Sequence, residues 1–99
     1  MTIKELEKMI KESRYTVFFG GAGVSTESGL KDFRSKDGLY SETFYNESPE
    51  KILSYSYLMN HTENFFKYYK KNFLSQQVKP NSAHKILAKL EEKDKLQAI

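Results

Sequence analysis

Gly20-Gly21-Ala22-Gly23-Val24-Ser25-Thr26-Glu27-Ser28-Gly29 is the stretch on which the reading of this chain turns. Before it lies Tyr15-Thr16-Val17-Phe18-Phe19, a β-branched and aromatic run that stops at the first glycine and reads as a buried strand entering a tight turn. After it the pattern suits the start of a helix. A strand, a glycine loop and a helix N-terminus in that order offer unpaired N–H groups to a phosphate, and the helix dipole favours its charge. Against the dinucleotide fingerprint G-x-G-x-x-G, Gly21 and Gly23 fit the first two glycines, while Thr26 holds the third position. The same glycines also suit a plain turn between strand and helix, and spacing by itself does not separate the two readings.

Upstream, Thr2 and Glu5 have the spacing of a capping box, and Ile3, Leu6, Met9 and Ile10 recur at helical intervals, predicting an amphipathic opening helix. Downstream, Lys31 to Ser48 is polar and without a sustained period, and it reads as a long loop free to move. Ser48-Pro49 is an N-cap and first-turn pair for a short helix through Lys51, Ile52 and Leu53. Phe65, Phe66, Tyr69 and Phe73 fall on one face of a helix predicted over Thr62 to Leu74. That aromatic face reads as ordinary packing. Pro80 and Asn81 start a last helix with Ala83, Ile86, Leu87 and Leu90 in one stripe, and Leu96-Gln97-Ala98-Ile99 reads as the first residues of a second strand.

Bulk properties narrow the class. A chain of 99 residues holds one small domain, with a modest share of its surface buried. Sixteen Lys and Arg are scattered among thirteen acids for a net charge of +3, without a block of like charge, so nucleic acid is not the favoured partner. There is no cysteine, which rules out disulfides and thiolate metal ligands within the chain and suits a reducing compartment. The N-terminus lacks the apolar core of a signal peptide, and no run approaches membrane-spanning length. The expectation is a soluble, cytoplasmic protein with no membrane contact.

Past the glycine loop come Asp32-Phe33-Arg34-Ser35 and Gly38-Leu39-Tyr40. Together with the loop they resemble the sirtuin signature G-A-G-x-S-x-x-S-G-[IL]-P-D-F-R-S with a nearby G-[IL]-Y. Lys79-Pro80-Asn81-Ser82-Ala83-His84 and Leu87-Ala88-Lys89-Leu90-Glu91 are similar to the family's P-N-x-A-H and L-A-x-L-E stretches, so the resemblance covers nearly the whole chain. One departure stands out. Lys31 occupies the position where the signature has proline, and the loop loses a rigid φ restraint before Asp32.

The resemblance implies an α/β fold: the N-terminal portion of a Rossmann-like NAD-binding domain, a parallel sheet flanked by helices, with part of a helical small-domain insertion, incomplete at 99 residues. Residues 1–35 would hold the first strand and the NAD-binding loop, 36–78 the cofactor loop and helical small-domain segment, and 79–99 the return helix and the start of the next strand. It further implies an NAD-dependent protein lysine deacylase, in which an acyl-lysine protein substrate passes its acyl group to ADP-ribose as nicotinamide leaves. Gly21, Ala22 and Gly23 would contact the pyrophosphate through their backbone, and Thr26 would share that cradle. Phe33 would lie near the nicotinamide ribose, and Arg34 would face phosphate and ribose oxygens, a role suited to a planar, permanently charged donor. Asp32 would either bind the cofactor or hold the loop through backbone N–H groups, with loop-holding favoured. Without the signature, Phe33 would read as a core aromatic and Arg34 as a surface charge.

Neither histidine reads as a general base. His84 falls in the P-N-x-A-H match, where the family uses it structurally, and His61 sits at a polar helix start with no acid at catalytic spacing. The family's T-Q-N-I-D block, catalytic histidine and four zinc cysteines are not in these residues. The expectation is therefore an N-terminal fragment that is inactive alone, with no catalytic residue and no metal ligand of its own, zinc belonging only to the missing C-terminal part. The chain has no arginine after Arg34, and family members preferring acidic acyl groups carry a Tyr and Arg pair in the small domain, which points to acetyl or another uncharged group. Two other readings stay open: an NAD-dependent protein ADP-ribosyltransferase of the same family, and a non-catalytic helical interaction module that keeps the loop as a relic. The last predicts a cooperative fold and no NAD binding.

Overall fold

The computed structural model describes residues 1–99. Helix α1 spans Ile3–Glu12, and its capping box is in place: the Glu5 N–H donates to Thr2 Oγ1 at 3.1 Å, and the Thr2 N–H donates to Glu5 Oε2 at 2.7 Å. A 3₁₀ helix over Ala22–Ser28 follows the glycine loop, and another short one covers Leu39–Ser41. Then come α2 (Pro49–Ile52), α3 (Tyr55–Asn60), α4 (Thr62–Tyr69) and α5 (Ser82–Glu92). No helix is long and apolar enough to cross a membrane.

The buried interior belongs to the middle of the chain. Ile52, Tyr57 and Tyr68 form its centre, with Phe44, Leu53, Phe65 and Phe73 packed against them. Aromatic edges and faces do the fitting, as where Phe44 meets Tyr68 edge-on at 5.3 Å and Phe65 stacks on Tyr69 at 5.8 Å. The aromatic face predicted between Phe65 and Phe73 packs only in part: Phe65 and Phe73 join the cluster, while Phe66 stays exposed and the helix's buried residue is Tyr68, which lies outside that face. Its helix differs in detail, because the α-helix stops at Tyr69 and Lys70–Leu74 continue as a wider π turn. Helix α3 was not foreseen, although Ser54 caps it by accepting from the Tyr57 N–H at 3.2 Å.

The expected strands are corrected. Tyr15 to Phe19 and Leu96 to Ile99 do meet side by side and parallel, but as one bridge between Val17 and Ala98 and not as a sheet. The Phe18 N–H donates to the Ala98 carbonyl at 3.0 Å, and the Gln97 N–H donates to the Thr16 carbonyl at 2.9 Å. Two segments with no third beside them cannot bury both faces of a β-rich run, so Phe19 is fully exposed and Val17 and Ile99 stay largely so. The helix expected after the glycines is likewise a seven-residue 3₁₀ helix, ended by Gly29 in the left-handed region at φ 105°.

Only seven of the 99 residues are buried, and the Cα radius of gyration of 17.7 Å exceeds the roughly 13 Å usual at this length. Apolar faces outside the middle cluster therefore lie open. Ile3, Leu6 and Ile10 of α1 line one such groove with Ile86 and Leu90 of α5.

Candidate functional site

The 3₁₀ helix after the glycines is anchored from far away in sequence. The Asn81 side-chain amide donates to the Val24 carbonyl at 2.7 Å and to Ser28 Oγ at 3.0 Å. The same side chain caps α5, its Oδ1 accepting from the N–H groups of Ala83 and His84, while His84 Nδ1 accepts from the Asn81 N–H at 3.1 Å. His84 is therefore part of a helix cap, a structural role. His61 sits against the Tyr57 ring, 4.8 Å between centroids.

Held in this way, the loop keeps its first amides unused. The N–H groups of Gly21, Ala22 and Gly23 donate to no acceptor in the chain, and the first amide of the segment to be satisfied is that of Val24, bonded to the Gly21 carbonyl at 3.1 Å. A Cβ placed on Gly21 or Gly23 would meet nothing within 4 Å, and neither residue has a positive φ. The fold by itself does not call for glycine at these two positions. Gly38 is the opposite case, since a Cβ there would lie 2.7 Å from the Phe33 carbonyl oxygen.

Residues 32–40 close over the loop as a second wall. The Leu39 N–H donates to the Asp32 carbonyl at 2.7 Å and the Tyr40 N–H donates to the Phe33 carbonyl at 2.9 Å, so the stretch expected to be a free loop is tied into a compact turn. The Asp32 carboxylate accepts from Ser35 Oγ within this turn, a tie to a side-chain hydroxyl and not to the backbone N–H groups expected. Between the walls lies a cavity of about 360 Å³. Ala22 and Phe33 line it, joined by Ser25, Leu30 and, from the π turn, Lys71 and Phe73.

Not every expected residue reaches that cavity. The Thr26 hydroxyl turns back to donate to the Gly23 carbonyl at 3.0 Å, and Arg34 is exposed with its guanidinium 5.4 Å from the Tyr40 ring centroid. Ser25 and Leu30 were missed although both sit in the signature, and Lys71 carried no sequence signal. Charge at the cavity comes from Lys31, Glu42 and Lys71. Lys31 Nζ and Glu42 Oε1 are 2.6 Å apart, and this bond, reinforced by the Lys31 charge and more weakly by that of Lys71, holds the Glu42 carboxyl below the usual glutamate range.

The Sir2 family model matches residues 21–99, a span that takes in both walls and the α5 anchor. This chain belongs to the Sir2 family. Among its Sir2 relatives, the NAD-dependent protein deacetylase of Clostridium acetobutylicum is 51% identical over 98% of this chain and 40% of that protein. The NAD-dependent protein deacetylase of Clostridium tetani is 52% identical over 99% of this chain and 40% of its own length, and that of Thermotoga maritima is 40% identical over 100% and 39%. A solved structure described as "The Structural basis of Sirtuin Substrate Affinity" superposes with a TM-score of 0.72 at 40% identity, covering 99% of this chain and 38% of that one. The chain thus spans about 40% of the length of the Sir2 relatives it matches.

Proposed function

We propose that this chain supplies the cofactor-gripping part of an NAD-dependent protein lysine deacetylase. The observation that carries the reading is the run of three unsatisfied amides at Gly21, Ala22 and Gly23, two of them on glycines whose missing side chains the fold does not require. Free N–H groups flanked by glycines with open space at their Cβ positions fit a pyrophosphate, whose oxygens accept several such bonds at once. The adjoining cavity, walled by Phe33 and carrying one more lysine than acid among Lys31, Lys71 and Glu42, is of a size to take the rest of a nicotinamide ribose. When bound, NAD supplies a glycosidic bond whose cleavage releases nicotinamide and opens the ribose carbon to the acyl group.

In this reading Gly21, Ala22, Gly23 and Thr26 form the phosphate cradle, Phe33 covers the nicotinamide end, Arg34 meets cofactor oxygens and Asp32 holds the wall from within its turn. The parallel bridge of Val17 with Ala98 is then the seed of a Rossmann-like sheet, with 1–35 and 79–99 on the sheet side and 36–78 on the helical side. An acyl-lysine protein is the substrate, zinc and the general base lie outside these 99 residues, and the chain alone does not turn over. Both histidines are engaged elsewhere, one in a cap and one against a tyrosine ring, which supports that division of labour. Deacetylation is favoured over ADP-ribosyl transfer because the relatives are NAD-dependent protein deacetylases. The relic module is disfavoured because seven buried residues make a poor independent core.

The test is calorimetric titration of NAD into the chain, compared with Gly23→Val and Arg34→Ala, with circular dichroism on each. Binding by the parent, lost in Gly23→Val at unchanged helicity, supports the cradle. A folded parent that takes up no NAD overturns the reading of these residues as a competent half-site.

A further inference from the structure

Lys31 is the one residue of the glycine-loop motif that departs from the signature, and the structure gives it a partner. Its ammonium meets the Glu42 carboxylate at 2.6 Å, and both side chains line the cavity that Ala22 and Phe33 share. The pair brackets the turn closed by the Leu39 to Asp32 and Tyr40 to Phe33 backbone bonds. It is the outermost tie between the two ends of that turn, and the only one made by side chains from residue 31 and residue 42. Phe33 and Arg34 ride on the bracketed segment, held to each other through Tyr40.

We propose that the Lys31–Glu42 ion pair is a positioning device for the cofactor wall, keeping Phe33 against the cavity in a chain that lacks the signature's proline. This rests on the proposed cofactor reading for its consequence but not for its geometry. A proline restrains the approach to Asp32 through its ring and is indifferent to salt, whereas an ion pair half exposed to water weakens as salt screens it. The wall of this protein is therefore salt-sensitive where a proline-bearing relative's is not.

The experiment measures amide hydrogen exchange at Leu39 and Tyr40 by NMR, and NAD affinity by calorimetry, in the parent chain, Lys31→Gln, Glu42→Gln and the exchanged pair Lys31→Glu/Glu42→Lys. Each single change is expected to speed exchange at both amides and weaken NAD by roughly two- to five-fold. The exchanged pair restores both values, and 0.5 M salt speeds exchange at both amides in the parent but not in Lys31→Gln. Unchanged exchange in both single variants overturns the proposal, as does tighter NAD binding by Glu42→Gln at unchanged exchange, which would make Glu42 a mere repulsive charge. If the parent binds no NAD while the exchange pattern follows expectation, the positioning device stands and the cofactor reading falls.

Discussion

Asn81 and Val24, 57 residues apart, are joined by a hydrogen bond of 2.7 Å from the side-chain amide to the backbone carbonyl. One side chain thereby caps α5 and fixes the segment that follows the glycine loop. Asn81→Ala loses both functions, and the missing cap alone costs about 1 kcal/mol. Asn81→Asp keeps an acceptor for the cap but has no N–H for the Val24 carbonyl. Thermal unfolding should therefore show a larger loss for Asn81→Ala than for Asn81→Asp, while NAD affinity falls in both. Equal affinity in Asn81→Asp and the parent would show that the link to Val24 does not shape the cradle.

Gly38 and Gly23 should respond in opposite ways to the same methyl group. At Gly38 the new Cβ runs into the backbone of Phe33, a neighbour that cannot swing aside, so Gly38→Ala should destabilise by about 1–3 kcal/mol in urea denaturation. At Gly23 the Cβ enters open space, and Gly23→Ala should leave the urea midpoint unchanged or slightly raised, since alanine narrows the unfolded ensemble.

The Tyr68 hydroxyl is buried and has no hydrogen-bond partner, and that burial pushes its pKa above the ordinary tyrosine value. Tyr68→Phe removes the unsatisfied group while keeping the ring against Phe44 and Phe73, so stability near neutral pH should hold or rise by about 1 kcal/mol. The sign of the pH effect follows from the raised folded value. The contribution is fully present below the unfolded tyrosine pKa near 10 and is lost as pH climbs through the folded one. Urea midpoints measured from pH 8 upward should fall less in Tyr68→Phe than in the parent.

Ile52 is completely buried at the centre of the one apolar cluster. Ile52→Ala should cost about 3 kcal/mol, a large share of what so small a core can supply. Near-UV circular dichroism from the surrounding Phe and Tyr rings should be lost with it. Retained near-UV signal at an unchanged midpoint would mean that the cluster does not hold the middle of the chain.

Much of the local structure was legible because its causes lie within four residues of one another. Thr2 with Glu5, Ser48 before Pro49, and Asn81 before α5 each declare a helix start through a side chain that reaches its own backbone. Ser54 carries the same kind of signal for α3, with Tyr55, Leu58 and Met59 following at helical spacing, yet the expected short helix ends at Leu53. The run from Tyr15 to Phe19 has strand chemistry, yet strand pairing is a bargain between distant segments, and the neighbours needed to cover Val17 and Phe19 are not among these residues.

The candidate site divides along the same line. The signature named Gly21, Ala22, Phe33 and Arg34, but nothing in their spacing says that Ala22 and Phe33 share a cavity while Arg34 stacks outside it on Tyr40. Nor could pattern alone pair Lys31 with Glu42, or bring Lys71 from the π turn to the same cavity. By itself the sequence determined the helix starts, the glycine loop and the family, because those depend on residue types at short fixed spacings. Only the tertiary structure decided which amides stay free, which side chains meet across the cavity and how little of the strand is covered, because each depends on contacts between residues whose separation the chain's order leaves open.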